Sequence, residues 1–304
     1  MTTANIGRLI TAMVTPFKPS GEMDLEQAQR LALALLASGS DGLVVAGTTG
    51  EAPTLSTDEE LDLYRAVKEA VGDKGSVLAA TSSYNTAESV EVSRAAARTG
   101  VDGLLLVVPY YNKPPQEGLQ RHMEAIAAAV DLPCVIYNIP GRTGVNMAPE
   151  TIIKTAQAAP NVIGVKEASG NLDAVSKMVA ELGSGFRIWS GDDQLILPML
   201  SVGGYGAVSV TSHLAGRQIK AMIEDYLAGR VAETAATHRN LLPLMTALMT
   251  IAANPVPVKH ALNALGFNAG PLRLPLSGLD EAASALLMAE VSRHQIDIET
   301  GVTA

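Results

Sequence analysis

Eight short apolar, β-branched-rich runs recur along the first two-thirds of the chain, and segments of helical periodicity fill most of the gaps between them. The runs are Leu9–Val14, Gly42–Ala46, Ser76–Ala80, Gly103–Val108, Cys134–Tyr137, Val162–Lys166, Arg187–Ser190 and Ala207–Val210. The helical segments are Leu25–Ala37, Asp58–Val71, Ala87–Thr99, Glu117–Val130, Pro149–Ala158, Leu172–Leu182 and Gln194–Val202. Several open on a cap: Ser56-Thr57-Asp58-Glu59 brings side-chain oxygens and acids to an N-terminus, and Asn171 and Asp193 are placed to do the same. Strands that are apolar throughout are buried on both faces, and their alternation with amphipathic helices makes a parallel sheet under a helical layer. Eight such units in roughly 200 residues predict an α/β protein of the TIM (β/α)8 barrel type. An open doubly wound sheet would place a Gly-rich fingerprint after its first strand, and Thr11-Ala12-Met13-Val14-Thr15-Pro16-Phe17 contains none. From about Gln218 the pattern is helical only, broken at Asn254-Pro255-Val256-Pro257 and Gly270-Pro271. The expected organisation is a barrel over 1–217 and a C-terminal helical appendage over 218–304.

Composition narrows the partners. With 47% hydrophobic and 17% charged residues in 304, the chain has the material for one large core. A net charge of -9 without a Lys/Arg block argues against nucleic acid. No basic stretch leads into an apolar segment at the N-terminus, and Leu241–Ala253, interrupted by Pro243, is too short to span a bilayer. No membrane partner is expected, and that segment reads as a core or subunit-interface helix. Cys134 is the single cysteine, which excludes an intramolecular disulfide and fits a reducing cytoplasm.

In a barrel of this type the site forms at the C-terminal ends of the strands, and the polar and aromatic residues of this chain fall there. The second run leads into Gly47-Thr48-Thr49-Gly50-Glu51, the fourth into Pro109-Tyr110-Tyr111-Asn112, and the fifth into Tyr137-Asn138-Ile139-Pro140-Gly141-Arg142-Thr143-Gly144. The sixth ends at Lys166, the seventh at Ser190-Gly191-Asp192-Asp193 and the eighth at Ser209-Val210-Thr211. A free lysine titrates near ~10.4, so about 1 in 2,500 is neutral at pH 7; burial that lowers the pKa makes it a nucleophile. Taken alone, Lys166 reads as a strand-end lysine in a salt bridge. Aromatics are only 4% of the chain, yet Tyr110, Tyr111 and Tyr137 share the rim. The Gly47–Glu51 turn offers backbone N–H groups and hydroxyls to an anion, although a plain Gly-rich turn reads equally well. Arg142 is suited to clamp a carboxylate. Asp192 or Asp193 reads as a helix cap, and Lys259, flanked by prolines, as exposed.

Other chemistries lack their motifs. The histidines His122, His213, His238, His260 and His294 show no metal-ligand spacing, and His122 and His294 read as solvated. No Gly-x-Ser-x-Gly elbow is present. What remains, a strand-end lysine with hydroxyls and an arginine, is equipment for imine-based carbon–carbon chemistry on keto acids.

Those motifs, together with Lys113-Pro114, Gly164-Val165-Lys166-Glu167-Ala168 and Asn254-Pro255-Val256-Pro257-Val258-Lys259, resemble the dihydrodipicolinate synthase (4-hydroxy-tetrahydrodipicolinate synthase) family of the pyruvate-dependent class I aldolases, from about Leu9 to Leu276. The resemblance implies that Lys166 forms an imine with pyruvate, whose carboxylate is held by Thr48 and Thr49. It implies a proton relay through Tyr137, Thr48 and Tyr111, the last supplied by a neighbouring subunit of a homotetramer. Arg142 would receive the carboxylate of L-aspartate-4-semialdehyde, and Gly191 and Val208 would line the pyruvate site. The resemblance implies no metal and no organic cofactor. Ala52, Glu60, Tyr84, Glu88 and Tyr110 match positions of a lysine-effector site, with Ala52, Thr57 and Tyr84 departing from the pattern of inhibited members. Thr48 and Arg142 match the dipicolinate branch and not N-acetylneuraminate lyases; an N-acetylneuraminate or 2-keto-3-deoxy sugar acid lyase is the nearest alternative, and a non-catalytic keto-acid-binding barrel is the other.

Overall fold

The computed structural model describes residues 6–299, so the extreme ends of the two expected segments, 1–5 and 300–304, lie outside the described residues. Eight strands are present: β1 Leu9–Ala12, β2 Gly42–Val45, β3 Ser76–Ala80, β4 Gly103–Val107, β5 Cys134–Asn138, β6 Val162–Glu167, β7 Arg187–Ser190 and β8 Gly206–Ser209. They pair in sequence order and close into a barrel, all parallel, with β8 returning to β1. The helices are α1 Leu25–Ala37, α2 Thr57–Val71, α3 Thr86–Ala97, α4 Gln116–Ala127, the single turn α5 Pro140–Thr143, α6 Pro149–Ala158, α7 Leu172–Leu182, α8 Ile196–Ser201, α9 Ser212–Leu227, α10 Val231–Thr250, α11 Val256–Ala264 and α12 Glu281–Val291. The fold is a TIM barrel followed by C-terminal helices.

Local chemistry explains the helix ends. At α2, Ser56 Oγ accepts from Glu59 N at 3.3 Å while the Glu59 carboxylate accepts from Ser56 N at 2.9 Å, a reciprocal cap. Leu63, Tyr64, Val67 and Val71 then form the buried stripe of that helix. Asn171 caps α7 through Ala174 N. Asp193 does not follow the expected capping role. Asp192 caps the short 3-10 turn before α8, whereas the buried Asp193 carboxylate accepts from Val210 N and Thr211 N at 3.1 and 2.7 Å.

Strand alternation sorts the apolar residues into two clusters. On β5, Cys134 and Ile136 face the helical layer, whereas Val135 and Tyr137 face the barrel axis. The axial cluster also holds Ile10, Val44, Leu78, Leu105, Trp189 and Val208. Gly164 on β6 makes room for part of it: a Cβ there would sit 2.6 Å from Trp189 Cζ3. The indole therefore fills the barrel floor beneath Lys166, two residues further along the same face, and its Nε1 donates to Gly7 O at 2.9 Å.

At the N-terminal rim two carboxylates stitch neighbouring strands. Asp41 accepts from Arg8 N, Leu9 N and Lys220 Nζ; Asp102 accepts from Val77 N and Lys68 Nζ. A cavity of about 840 Å³ opens among these ion pairs. It is larger than the one at the strand C-termini, but Asp41 and Lys220, and Asp102 and Lys68, pair with each other across it, and this face of the barrel serves stability.

The helix α9 completes the barrel against β1 and β8 and runs through the 217/218 boundary. Leu241–Ala253 lies mostly within α10, where Leu241, Leu244, Met245 and Leu248 are buried. Two histidines are not solvated as expected. His122 is buried with Nδ1 on Thr86 Oγ1 at 2.9 Å, and the His294 side chain is sequestered against Glu290 at 2.8 Å.

Candidate active site

Lys166 ends the apolar stretch of β6 with only 6% of its surface exposed. It forms no ion pair within 4 Å among the described residues, unlike the salt-bridged lysine its position alone would predict. Burial lowers its pKa to about 7, opposed by the negative charge of Asp193 and reinforced by the positive charge of Arg142. The ammonium or amine lies 4.0 Å from the centre of the Tyr137 ring, its register neighbour on β5. Gly191, after β7, gives the lysine stem its path. A Cβ there would meet Lys166 Cγ at 3.1 Å, Lys166 Cε at 3.2 Å and Ala168 Cβ at 2.8 Å. Val208 is buried on β8 in the axial cluster.

Tyr137 is buried, and desolvation pushes its hydroxyl up to about 12 against the lowering effects of Arg142 and of a hydrogen bond with Thr48. It therefore stays a phenol at neutral pH. Such a group moves protons only by accepting one as it gives one up, which is what its Thr48 partner permits. Thr49 is buried, and its Oγ1 accepts from Asn254 Nδ2 at 2.9 Å. Arg142 stands exposed on α5 and leans on the Asn254 carbonyl at 3.4 Å.

The pairs Tyr137/Lys166 and Asn138/Glu167 are cross-strand neighbours, one facing the axis and the other the helices. Asn138 Nδ2 donates to the Glu167 carboxylate at 3.0 Å and to Asn146 Oδ1 at 2.8 Å, and its Oδ1 accepts from Met147 N at 3.0 Å. One asparagine thus ties the loop carrying Arg142 to the two strands carrying Tyr137 and Lys166.

Of the three rim tyrosines, Tyr110 and Tyr137 line one cavity and Tyr111 does not. Tyr111 has a positive φ of 71° and is 89% exposed. Tyr110 turns the other way and packs edge-on against Tyr84 with ring centres 5.2 Å apart. A cavity of about 480 Å³ joins Thr48, Tyr137 and Arg142 to Ala52, Glu60, Glu88 and Tyr110. Within it burial raises the Glu60 pKa to about 8, helped by the nearby charge of Glu88.

Lys259 is the clearest departure from expectation. It is 1% exposed, pairs with Glu51 at 2.7 Å, donates to Thr15 O at 2.8 Å and lies over the Phe17 ring. Burial lowers its pKa to about 8, with Glu51 resisting the shift. Proline-flanked context marks a helix start but says nothing of a partner 208 residues away. Asn254, Asn138 and Glu51 were likewise given no role by their local sequence. Only the Asn254-Pro255-Val256-Pro257 motif pointed toward the first of them.

An axial lysine near neutrality, above an apolar floor and beside a phenol that is hydrogen-bonded to a threonine, defines a barrel able to form an imine with a small carbonyl compound. Among the described residues no group of three or more His, Cys, Asp or Glu is placed to hold a metal ion. The chain belongs to the dihydrodipicolinate synthetase family, whose profile matches residues 5–294. It is 52% identical over 293 residues to a 4-hydroxy-tetrahydrodipicolinate synthase of Dehalococcoides mccartyi, covering 96% of this chain and 98% of that protein. A solved dihydrodipicolinate synthase from Cyanidioschyzon merolae with lysine bound superposes with a TM-score of 0.93 at 47% identity, covering 95% of this chain and 98% of that one. A solved monomeric dihydrodipicolinate synthase variant gives 0.91 at 40% identity, covering 95% and 96%.

Proposed function

We propose that this protein condenses pyruvate with L-aspartate-4-semialdehyde to 4-hydroxy-tetrahydrodipicolinate, the product that gives its relatives their name. The observation that carries the reading is the burial of Lys166, which holds its pKa to about 7 and makes a large fraction of it a free amine at neutral pH. The amine attacks the pyruvate ketone, and water leaves as the imine forms. Thr48 and Thr49 hold the carboxylate, with Gly191 and Val208 lining the pocket. Loss of a methyl proton gives the enamine, whose carbon attacks the semialdehyde. Tyr137 passes protons through Thr48. The substrate amine then displaces Lys166 and closes the ring.

Arg142 holds the semialdehyde carboxylate at the open side of the cavity. That role, and the names of the relatives, favour an amino-aldehyde acceptor over a sugar acid. The outward face of Tyr111 fits a hydroxyl offered to a second copy, and a homotetramer is the assembly proposed. The barrel carries the chemistry and the C-terminal helices brace it. A cytoplasmic setting is proposed for the same biosynthetic role; among the described residues no helix is long and apolar enough to cross a membrane. The cavity formed by Ala52, Glu60, Glu88 and Tyr110, with Tyr84 behind it, is the proposed place for L-lysine as effector.

Borohydride treatment in the presence of pyruvate is the test. A covalent adduct on Lys166, absent from Lys166→Ala, together with turnover of the semialdehyde in a coupled assay, supports the reading. No adduct at neutral pH removes it.

A further inference from the structure

The motif Asn254-Pro255-Val256-Pro257-Val258-Lys259 lies far from the strand ends in sequence, yet both of its ends reach the loop that follows β2. Lys259 anchors one side through the buried Glu51 carboxylate. Asn254 reaches the other side by two different atoms. Its side-chain Nδ2 donates to Thr49 Oγ1 at 2.9 Å, and its main-chain carbonyl accepts from Arg142 Nη2 at 3.4 Å.

A threonine hydroxyl has one proton and two lone pairs. With a lone pair taken by the Asn254 amide, the Thr49 proton is directed elsewhere. Thr49 is buried and donates to no other group among the described residues, so that proton is an unspent buried donor, joined through Asn254 to Arg142 at the cavity wall. An unspent buried donor is costly until a ligand accepts it. We propose that Asn254 is a positioning residue that aims the Thr49 hydroxyl proton at the carboxylate of the keto acid, while its backbone steadies Arg142 for the second carboxylate. This rests on the function proposed above.

The two contacts use different atoms, so they are separable by mutation. Substituting the side chain removes the link to Thr49 and leaves the carbonyl under Arg142. Asn254→Ala should raise half-saturating pyruvate in borohydride trapping at Lys166 by roughly 5- to 10-fold, the worth of one oriented hydrogen bond. The plateau of adduct and the KM for the semialdehyde should stay within about twofold. Asn254→Asp keeps the side-chain volume but offers Thr49 an acceptor. The hydroxyl then turns its proton onto the new carboxylate, whose charge also repels pyruvate, and the rise should exceed that of the alanine variant. In a Thr49→Val background Asn254→Ala should add nothing. Melting curves of each variant establish that it is folded, and the isosteric Asp variant serves if the Ala variant is not.

Unchanged half-saturation in both variants, equal rises for the two substrates, or full additivity with Thr49→Val would each overturn the assignment. A wild-type protein that gives no adduct on Lys166 would instead remove the proposed function itself, a result visible before any variant is made.

Discussion

A lysine kept near neutrality by burial is a standing cost to the fold, and replacing it should make the protein more stable. The folded pKa is about 7 and the ordinary value is 10.5. Between those values the unfolded chain binds a proton that the folded one does not, so stability rises with pH across that window. Below pH 7 both forms are protonated and the full penalty applies. Taking those two values, the buried lysine lowers stability by about 5 kcal/mol at pH 6 and about 2 kcal/mol at pH 9, an upper estimate. Lys166→Met removes the charge while keeping an unbranched apolar stem. It should raise the unfolding free energy most at pH 6, and the gain should shrink by about 3 kcal/mol on going to pH 9. Asp193, which opposes the shift, loses its nearby cation in the variant, so the absolute gain falls short of the ceiling while the pH slope remains. Urea unfolding at pH 6, 7, 8 and 9, at fixed protein concentration because assembly contributes to stability, measures both. A stability difference that is independent of pH, or one that grows toward pH 9, would refute the claim that burial holds Lys166 near 7.

The same shift sets activity: the rate of pyruvate adduct formation should climb with pH and reach half its plateau near pH 7, not near 10, in stopped borohydride trapping. Arg142→Ala should leave that adduct intact and reduce condensation with the semialdehyde by about 100-fold or more, read in a coupled assay. Gly191→Val puts a branched side chain against Lys166 Cγ and Cε and should abolish adduct formation with the melting temperature changing much less than the activity. Lys259→Met leaves the Glu51 carboxylate buried without its cation, and urea unfolding should show a loss of about 3–5 kcal/mol. Ser56→Ala, which dismantles the α2 cap, should cost only about 1 kcal/mol and leave activity unchanged.

Where periodicity and local chemistry act together, the sequence is readable to the residue. The helices α1, α6 and α7 span the segments expected of them, and β3 and β7 begin and end as expected. The first strand is shorter than its apolar run, ending at Ala12, because only that far does the regular ladder extend; Met13 N still bonds to Val44 O beyond it. The placement of Lys166, Tyr137, Thr48, Thr49 and Arg142 at or just after the C-terminal ends of β6, β5 and β2 was legible because strand order fixes it by chain position alone, whereas their roles rest on the proposed function. Illegible were the residues whose role depends on a partner far along the chain. Lys259 needs Glu51, and Asn254 needs Thr49; nothing in the flanking residues of either names the other. Tyr111 falls at the rim as strand order predicts, but its outward direction was implied only by the family resemblance; its positive φ of 71° and its 89% exposure are not encoded by any pattern of residue types.

The Trp189 indole, packed where Gly164 has no side chain, closes the barrel axis beneath Lys166 with apolar surface. The residue that fills the floor of the barrel therefore also adds to the desolvation that keeps the amine from holding its proton, so packing and reactivity at this point are set by the same side chain.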